Sequence, residues 1–332
     1  MAVRSELPKS AALLPTFEAL IKTILFHCFH KIIVHKPHYL EPFISLKFNS
    51  KSYIYTTKKT HKMAYNLLKG KRGIITGALD ENSIAWKVAQ KCHEEGATFT
   101  LTNAPIAMRL GEINKLSEET GAKIIPADAT NMEDITKLYT ESMDVLGGKI
   151  DFILHSIGMS VNIRKNIPYT ELNYDFYQKG IDVSALSFHK MLAAAHKLDA
   201  LNEHASVVAL TYIGAQRTYP FYTDMADIKA MLESIARTFG YHYGKQKKVR
   251  VNTISQSPTK TSAGNGIKGF SDFYDFAELQ SPLGNASADD CAAFTVSMFS
   301  DLTRMVTMQN LYHDGGYSNT GISTELLEKV QG

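Results

Sequence analysis

The chain has 332 residues, of which 44% are apolar and 21% are charged, and its formal net charge is +3. These proportions are ordinary for a globular protein and exclude a disordered or fibrous chain, and the length allows one large α/β domain. The three cysteines, Cys28, Cys92 and Cys291, lie far apart without metal-ligand spacing, so neither a disulfide framework nor a metal site is predicted, and a reducing cytoplasm fits.

Residues 1–62 form a basic N-terminal extension with 10 Lys and Arg against 3 Asp and Glu, whereas residues 63–332 carry 26 against 30. This mildly acidic body lacks the clustered basic side chains that bind nucleic acid, so no such partner is predicted. Charged residues interrupt the apolar stretch 20–34, which is too short to span a membrane and has no signal-peptide cleavage site. We expect the extension to be dispensable, or translated from upstream of a start at Met63. A targeting or membrane-surface segment is the alternative.

From residue 67 onward, short apolar runs typical of strands alternate with segments long enough for helices. The predicted strands are 73–76, 98–102, 123–126, 152–155, 206–210 and 249–254, and predicted helices include 83–95, 108–120 and 132–146. This alternation is typical of βαβ units. It predicts an α/β fold over residues 63–332: a single Rossmann-type, doubly wound parallel sheet with helices on both faces.

A glycine-containing turn follows the first predicted strand and opens a helix. Gly77 supplies the tight turn, and the helix N-terminus offers backbone N–H groups to a pyrophosphate. Ser83 occupies the third glycine position of the usual dinucleotide motif, so the loop alone is a weak signal and an ordinary βα turn fits it about as well. Its place at the first βα junction favours a dinucleotide site.

The second predicted strand ends in Thr102 and Asn103. A Rossmann site usually carries an acidic residue here for the adenosine ribose, or a basic residue for a 2′-phosphate. Thr102 and Asn103 can each hydrogen-bond a ribose hydroxyl, and no Lys or Arg follows before Arg109. This pattern favours NADH over NADPH.

Tyr222 and Lys229 are seven residues apart, in a segment that leads from the fifth strand into a helix. Seven residues of helix return to nearly the same face about 10 Å further along its axis. Both side chains are therefore expected to face one ligand.

These residues resemble the enoyl-acyl-carrier-protein reductases of the short-chain dehydrogenase/reductase superfamily, over about residues 67–321. The motifs that carry the resemblance are the Gly77 loop ending in Ser83-Ile84-Ala85, Tyr212 and Tyr222 with Lys229, His155-Ser156-Ile157-Gly158, Arg250-Val251-Asn252 followed by Ser255 and Pro258, and His313-Asp314-Gly315-Gly316. The resemblance implies NADH-dependent reduction of the 2,3 double bond of a trans-2-enoyl thioester on acyl carrier protein, the last step of the fatty-acid elongation cycle. It also implies a cytoplasmic homotetramer.

The resemblance further implies roles for individual residues. Tyr222 would donate a hydrogen bond to the developing enolate oxygen, Lys229 would hold the nicotinamide ribose, and Tyr212 would line the acyl pocket or position the thioester. The implied cofactor contacts are Ser83 and Ile84 at the pyrophosphate, Asp128 and Ala129 at the adenine, Ser156, Ile157 and Gly158 on the ribose and nicotinamide side, and Thr259 at the nicotinamide amide. They add to Gly77 at the pyrophosphate and Thr102 at the ribose, which the loop and strand patterns predict. Residues from 261 to about 276 would form the mobile substrate loop, to which Gly264, Gly266 and Gly269 are suited.

Two other functions remain open from the sequence. Related carbonyl reductases carry their tyrosine four residues before the lysine, and Met225 stands there in this chain, which disfavours a carbonyl or ketoacyl reductase. Tyr219 or Tyr222 could still serve such a substrate. The second is a non-enzymatic NAD(H) sensor, which would not need Tyr222 and Lys229.

This chain departs from the family pattern at two places. It has Ser255-Gln256-Ser257-Pro258 where the family commonly has Ser-Ala-Gly-Pro, and Thr102 where the family has a glutamine-like residue. Both departures concern substrate preference and cofactor affinity more than the class of reaction.

Overall fold

The computed structural model describes residues 64–265 and 269–331. The N-terminal extension lies outside the described residues, as do Gly266 and its two successors in the predicted substrate loop. No helix among the described residues is long and apolar enough to cross a membrane.

Seven parallel strands form one sheet in the order β3-β2-β1-β4-β5-β6-β7. The strands are β1 (Arg72–Thr76), β2 (Thr98–Thr102), β3 (Lys123–Ile124), β4 (Ile150–His155), β5 (Leu201–Thr211), β6 (Arg250–Gln256) and β7 (Asn310–His313). The strand order reverses between β1 and β4, and ligands bind at the carboxyl ends of the strands at such a switch point. The predicted Rossmann-type fold is confirmed.

Twelve α-helices connect or follow the strands within the described residues. They are α1 (Ile84–Glu94), α2 (Pro105–Leu110), α3 (Ile113–Thr120), α4 (Met132–Leu146), α5 (Val161–Arg164), α6 (Tyr174–Ile181), α7 (Ser187–Lys197), α8 (Met225–Lys247), α9 (Ser262–Asn265), α10 (Phe270–Gln280), α11 (Ala288–Phe299) and α12 (Thr324–Gln331). A π-helical segment, Asp182–Leu186, joins α6 to α7.

Apolar side chains bury both faces of the sheet. Helices α1, α3 and α11 pack on one face, where Trp86 and Phe299 are each 1% exposed. Helices α4, α7 and α8 pack on the other, where Tyr139, Phe188 and Leu232 are buried. This two-sided burial explains why the central strands are nearly continuous apolar runs in the sequence.

The predicted helix 108–120 is wrong, because Gly111 divides it into α2 and α3. The Glu112 N–H donates to the Leu79 carbonyl at 2.8 Å, and a Cβ on Gly111 would lie 2.5 Å from the same oxygen. The chain therefore leaves the helix here to pack against the loop after β1, residues 77–83, which we call the phosphate loop. The sequence patterns also missed β7, which pairs with β6 at the far edge of the sheet.

Candidate active site

An apolar cavity of about 220 Å³ lies at the carboxyl ends of β5 and β6. Its wall combines the loop after β5, the loop after β6 and the helices of the predicted substrate loop. The lining side chains include Ile84, Tyr212, Tyr219, Phe221, Tyr222, Thr259, Phe270 and Phe273. Four residues expected at the site from the sequence, Ile84, Tyr212, Tyr222 and Thr259, thus border one cavity.

Tyr222 lies in a turn before α8, which begins at Met225. The prediction that Tyr222 and Lys229 share one helical face is therefore wrong in its geometry. The turn is closed by hydrogen bonds from the Tyr222 N–H to the Tyr219 carbonyl, at 2.9 Å, and from the Met225 N–H to the Tyr222 carbonyl, at 3.0 Å. Burial, followed by the nearby carboxylates of Glu233 and Asp224, raises the pKa of the Tyr222 phenol, which stays protonated at neutral pH.

Lys229 is buried beside the same cavity. Its Nζ donates to the carbonyl of Leu210, a cavity-lining residue, at 2.8 Å. The Nζ also lies 3.7 Å from the point that a Cβ on Gly158 would occupy, so the loop after β4 passes directly over the ammonium group. Burial lowers the Lys229 pKa to about 8, against a smaller opposing effect of Glu233.

Tyr212 occupies the centre of an aromatic cluster. Its ring centroid lies 5.0 Å from that of Tyr222, 5.5 Å from that of Tyr219 and 6.0 Å from that of Phe273. Among the described residues its buried hydroxyl has no hydrogen-bond partner of good geometry, and burial raises its pKa. The neighbouring Tyr219 hydroxyl makes no well-formed hydrogen bond with it, so this buried donor at a cavity wall is suited to a ligand oxygen.

A second, smaller cavity of about 60 Å³ lies near the carboxyl ends of β1 and β2. Its lining includes Thr102, Asp128, Ala129 and Ile157, all expected from the sequence to bind cofactor, together with Asn103. The buried Thr102 Oγ1 has no hydrogen-bond partner within the described part of the chain. An unpaired hydroxyl at this position fits a ribose or adenine group.

Gly77 brings the phosphate loop against the loop after β4. Its φ is +85°, and a Cβ on it would lie 2.0 Å from the Ser156 carbonyl oxygen. The Ser156 N–H donates to Thr76 Oγ1 at 3.2 Å, which fixes the two loops together. Ser83 closes the phosphate loop, since its Oγ donates to the Asp80 carbonyl at 2.8 Å. The close approach of the two loops at Gly77 and the unpaired Thr102 hydroxyl together fit a dinucleotide such as NADH.

The predicted substrate loop covers the larger cavity with two helices. Residues Thr261, Gly264 and Gly269 line the cavity, as do Phe270 and Phe273 of α10. The Phe273 ring meets the rings of Tyr212 and Tyr219 edge to face. The family resemblance predicted a substrate loop here but did not identify Phe273 as the contact.

Gln256, one departure from the family pattern, ties the site to β7. Its Nε2 donates to Thr259 Oγ1 and to the Ala286 carbonyl, both at 3.1 Å. Its Oε1 lies 2.7 Å from His313 Nδ1. The larger side chain thus holds Thr259 in place.

Glu233 is a site residue that the sequence patterns missed. It is 4% exposed and accepts hydrogen bonds from Thr211 Oγ1 and Gln216 Nε2, both at 3.0 Å, and from Asn310 Nδ2 at 3.2 Å. Burial raises its pKa, against smaller lowering effects of Gln216, Thr211, Arg237 and Lys229. The signal that could have found it is its position one helical turn after Lys229.

Comparison with known proteins agrees with this geometry. The model of the family described as enoyl-(acyl carrier protein) reductase matches residues 77–318. The curated enoyl-[acyl-carrier-protein] reductase [NADH] FabI of Rickettsia bellii is 34% identical over 263 residues, which cover 78% of this chain and 98% of the relative. The corresponding reductase 1 of Rhizobium meliloti is 32% identical, covering 78% of this chain and 94% of the relative.

A solved structure, the FabI–NADH complex from Alistipes finegoldii, is 57% identical in sequence. It superposes with a TM-score of 0.78 and covers 79% of this chain and 92% of its own. The family match includes both cavities, from Gly77 to beyond Tyr317. The chain therefore belongs to the enoyl-(acyl carrier protein) reductase family of the short-chain dehydrogenase/reductase superfamily.

Proposed function

We propose that Tyr222, Tyr212 and Lys229 carry the reaction of this family in this chain. The chain is an NADH-dependent enoyl-acyl-carrier-protein reductase, which reduces the 2,3 double bond of a trans-2-enoyl thioester in the last step of the fatty-acid elongation cycle. The observation that supports the residue roles is the meeting of two protonated phenols, at a 5.0 Å ring separation, in an apolar cavity beside a buried lysine.

When bound, NADH supplies the hydride. As the conjugated double bond is reduced, negative charge collects on the thioester oxygen. The Tyr222 hydroxyl donates a hydrogen bond to this oxygen, and its raised pKa keeps the proton in place. In an apolar cavity such a donor stabilises the developing charge more than it would in water.

Tyr212 positions the thioester. Its hydroxyl is buried at the cavity wall and has no competing partner of good geometry among the described residues. The aromatic rings around it exclude water from the acyl group.

Lys229 binds the nicotinamide ribose hydroxyls. Its Nζ lies beside Gly158 in the loop after β4 and donates one hydrogen bond to the Leu210 carbonyl. Within the described part of the chain its Nζ has no other hydrogen-bond partner, so its remaining donors are available to a ligand. Thr102, Asp128 and Ala129 would hold the adenosine end of NADH, with Gly77, Ser83 and Ile84 at the pyrophosphate. Ser156, Ile157, Gly158 and Thr259 would border the nicotinamide end.

Further proposals concern partners and the cell. Acyl carrier protein is proposed to carry the acyl group, as the names of the curated relatives imply. A homotetramer in the cytoplasm follows from the family resemblance, and the free cysteines Cys92 and Cys291 suit a reducing compartment.

The test is the loss of NADH absorbance with purified full-length protein and a trans-2-enoyl thioester of acyl carrier protein. NADPH in place of NADH, and a 3-ketoacyl thioester in place of the enoyl substrate, are run alongside. We expect NADH to be consumed with the enoyl thioester and not with the ketoacyl thioester, and we expect no consumption of NADPH. Turnover of the ketoacyl thioester without turnover of the enoyl thioester would contradict the proposal.

A further inference from the structure

We propose that Asp224 is a positioning residue, whose buried carboxylate fastens the turn that carries Tyr222 to the loop after β4. This inference rests on the proposed role of Tyr222. Asp224 follows Tyr222 by two residues and does not line the cavity. It therefore acts on the reaction only through the position of Tyr222.

The carboxylate is fully buried and accepts three hydrogen bonds from side chains. Its Oδ1 accepts from Ser160 Oγ at 2.7 Å and from Thr223 Oγ1 at 3.0 Å, and its Oδ2 accepts from Asn162 Nδ2 at 2.9 Å. Asp224 is 0% exposed. A buried carboxylate is costly unless it is hydrogen-bonded, so this position strongly favours the conformation that supplies all three donors.

Two of the donors are themselves held rigidly. Ser160 Oγ accepts from the Ile163 N–H at 3.0 Å and so caps α5. Asn162 pairs with the backbone of Asn173 in both directions, at 3.1 Å and 3.2 Å. The carboxylate is thus bound to Ser160 and Asn162, which we call the frame. The frame begins two residues after Gly158, and Gly158 lies beside Lys229.

The turn needs such a restraint because Thr223 is strained. Its φ is +36°, which is rare and unfavourable for a β-branched residue. The Thr223 hydroxyl donates to the same carboxylate, so one group compensates the strain and joins the turn to the frame. Without it, relaxation of Thr223 would displace the phenol of its neighbour Tyr222.

The test is a double-mutant cycle in the full-length protein. Asp224→Ala is expected to lower kcat about 30-fold, since a displacement of about 1 Å of a catalytic group can cost a factor of 100. The Kd for NADH, measured by titration, should stay within about twofold. In the Tyr222→Phe background, Asp224→Ala should cause little further loss, because the hydroxyl that it positions is already absent.

Two further variants complete the test. Asp224→Asn retains an oxygen for Ser160 and Thr223, so its kcat should lie between those of Asp224→Ala and wild type. Asp227→Asn, in the first turn of α8, is the matched control, because Asp227 accepts from Tyr169 and Tyr177 and is bound to neither Ser160 nor Thr223. Its kcat should equal that of wild type. If Asp224→Ala does not fold, Ser160→Ala replaces it in the cycle with an expected loss of about threefold.

The outcomes separate this inference from the proposed function. If Tyr222→Phe alone leaves kcat unchanged, the role proposed for Tyr222 is wrong. If Tyr222→Phe lowers kcat but Asp224→Ala or its replacement does not, the positioning role is wrong. An equal loss from Asp224→Ala in both backgrounds would mean a general structural role, and would also overturn the proposal.

Discussion

The cofactor side of the site, at the ends of β1, β2 and β4, and the substrate side, at the ends of β5 and β6, are built differently. Close backbone approaches and small polar groups form the cofactor side, as at Gly77 and Thr102. Large aromatic side chains from irregular segments form the substrate side, as at Tyr212, Tyr222 and Phe273. Substitutions at the close backbone approach of the cofactor side should therefore alter folding and binding together, and removal of its unpaired polar groups should alter binding alone. Substitutions on the substrate side should alter turnover in a folded protein.

The largest expected effect is that of Gly77→Ala. A Cβ here would lie 2.0 Å from the Ser156 carbonyl oxygen at a φ of +85°, so the two loops must separate. We expect unfolding free energy to fall by about 3 kcal/mol or more, and NADH binding to be lost. Denaturant unfolding and NADH titration measure the two effects. In the matched control Gly121→Ala, φ is +68° and no atom of the described residues outside its own chain neighbours lies within 4 Å of the new Cβ, so only the backbone cost of about 1–2 kcal/mol should appear.

On the substrate side, Tyr222→Phe should lower kcat by a factor of about 100 to 1,000, the usual cost of one lost oxyanion donor. The Kd for NADH and the melting temperature should be nearly unchanged, because the ring still packs against Tyr212. Steady-state kinetics and NADH titration measure this. Tyr241→Phe, at an exposed position on α8, is the control. A parallel loss of NADH affinity in Tyr222→Phe would contradict the division between the two sides.

Lys229→Met should separate binding from stability. NADH affinity is expected to fall about 10-fold to 100-fold, because the ribose loses a charged donor. The Lys229 pKa is about 8 in the folded protein, below its ordinary value of 10.5. Below about pH 8 the buried lysine is charged, and its destabilising effect on the fold is then at its full size. After the lost hydrogen bond to Leu210 is allowed for, the variant should be about 2 kcal/mol more stable than wild type at pH 7.

This stability difference should shrink as the pH rises from 8 through 10.5, above which the wild-type lysine is neutral in both the folded and the unfolded state. Unfolding curves at several pH values measure it. A difference that grows with pH would mean that the ammonium group stabilises the fold.

A smaller effect is expected from Thr102→Val, which removes the unpaired buried hydroxyl and keeps the side-chain shape. NADH affinity should fall about 10-fold, while stability stays equal or rises by about 1 kcal/mol. Thr100→Val, two residues earlier in β2, is the reciprocal control, since Thr100 Oγ1 pairs with the buried Ser142 Oγ at 2.7 Å. That variant should lose about 1–3 kcal/mol of stability without a change in NADH affinity.

The smallest effect is expected from removal of residues 1–62. A chain that starts at Met63 should keep full activity, because the family match begins only at Gly77. Specific activity and melting temperature of the full-length and shortened proteins test this. Loss of activity on truncation would assign a function to the extension.

Much of the cofactor side could be predicted from the sequence because local signals determine it. Helix α4 begins and ends at the predicted residues, since Asn131 caps its start and Gly147 ends it with a φ of +71°. Strand β2 also has the predicted bounds, because threonines alternate with Phe99 and Leu101 in a pattern typical of a strand, which ends at Thr102.

The arrangement of the substrate side could not be predicted in the same way, because contacts between distant residues determine it. Tyr222 lies off the helix in a turn that is bound to Ser160 and Asn162 through Asp224, at separations of 64 and 62 residues. Periodicity within one segment carries no information on such contacts. The residue types of the site could be predicted, and the turn that positions them could not.

Trp86, the only tryptophan of the chain, offers a spectroscopic signal that can separate loss of the fold from loss of cofactor binding. It is buried in the first turn of α1, two residues after Ile84, which lines the larger cavity. Its fluorescence should therefore follow the melting of the layer formed by α1 and α11. Because reduced nicotinamide absorbs at the wavelengths where tryptophan emits, energy transfer from the same indole should also report cofactor occupancy. One unmodified side chain can thus reveal whether a variant has lost its fold or only its ligand.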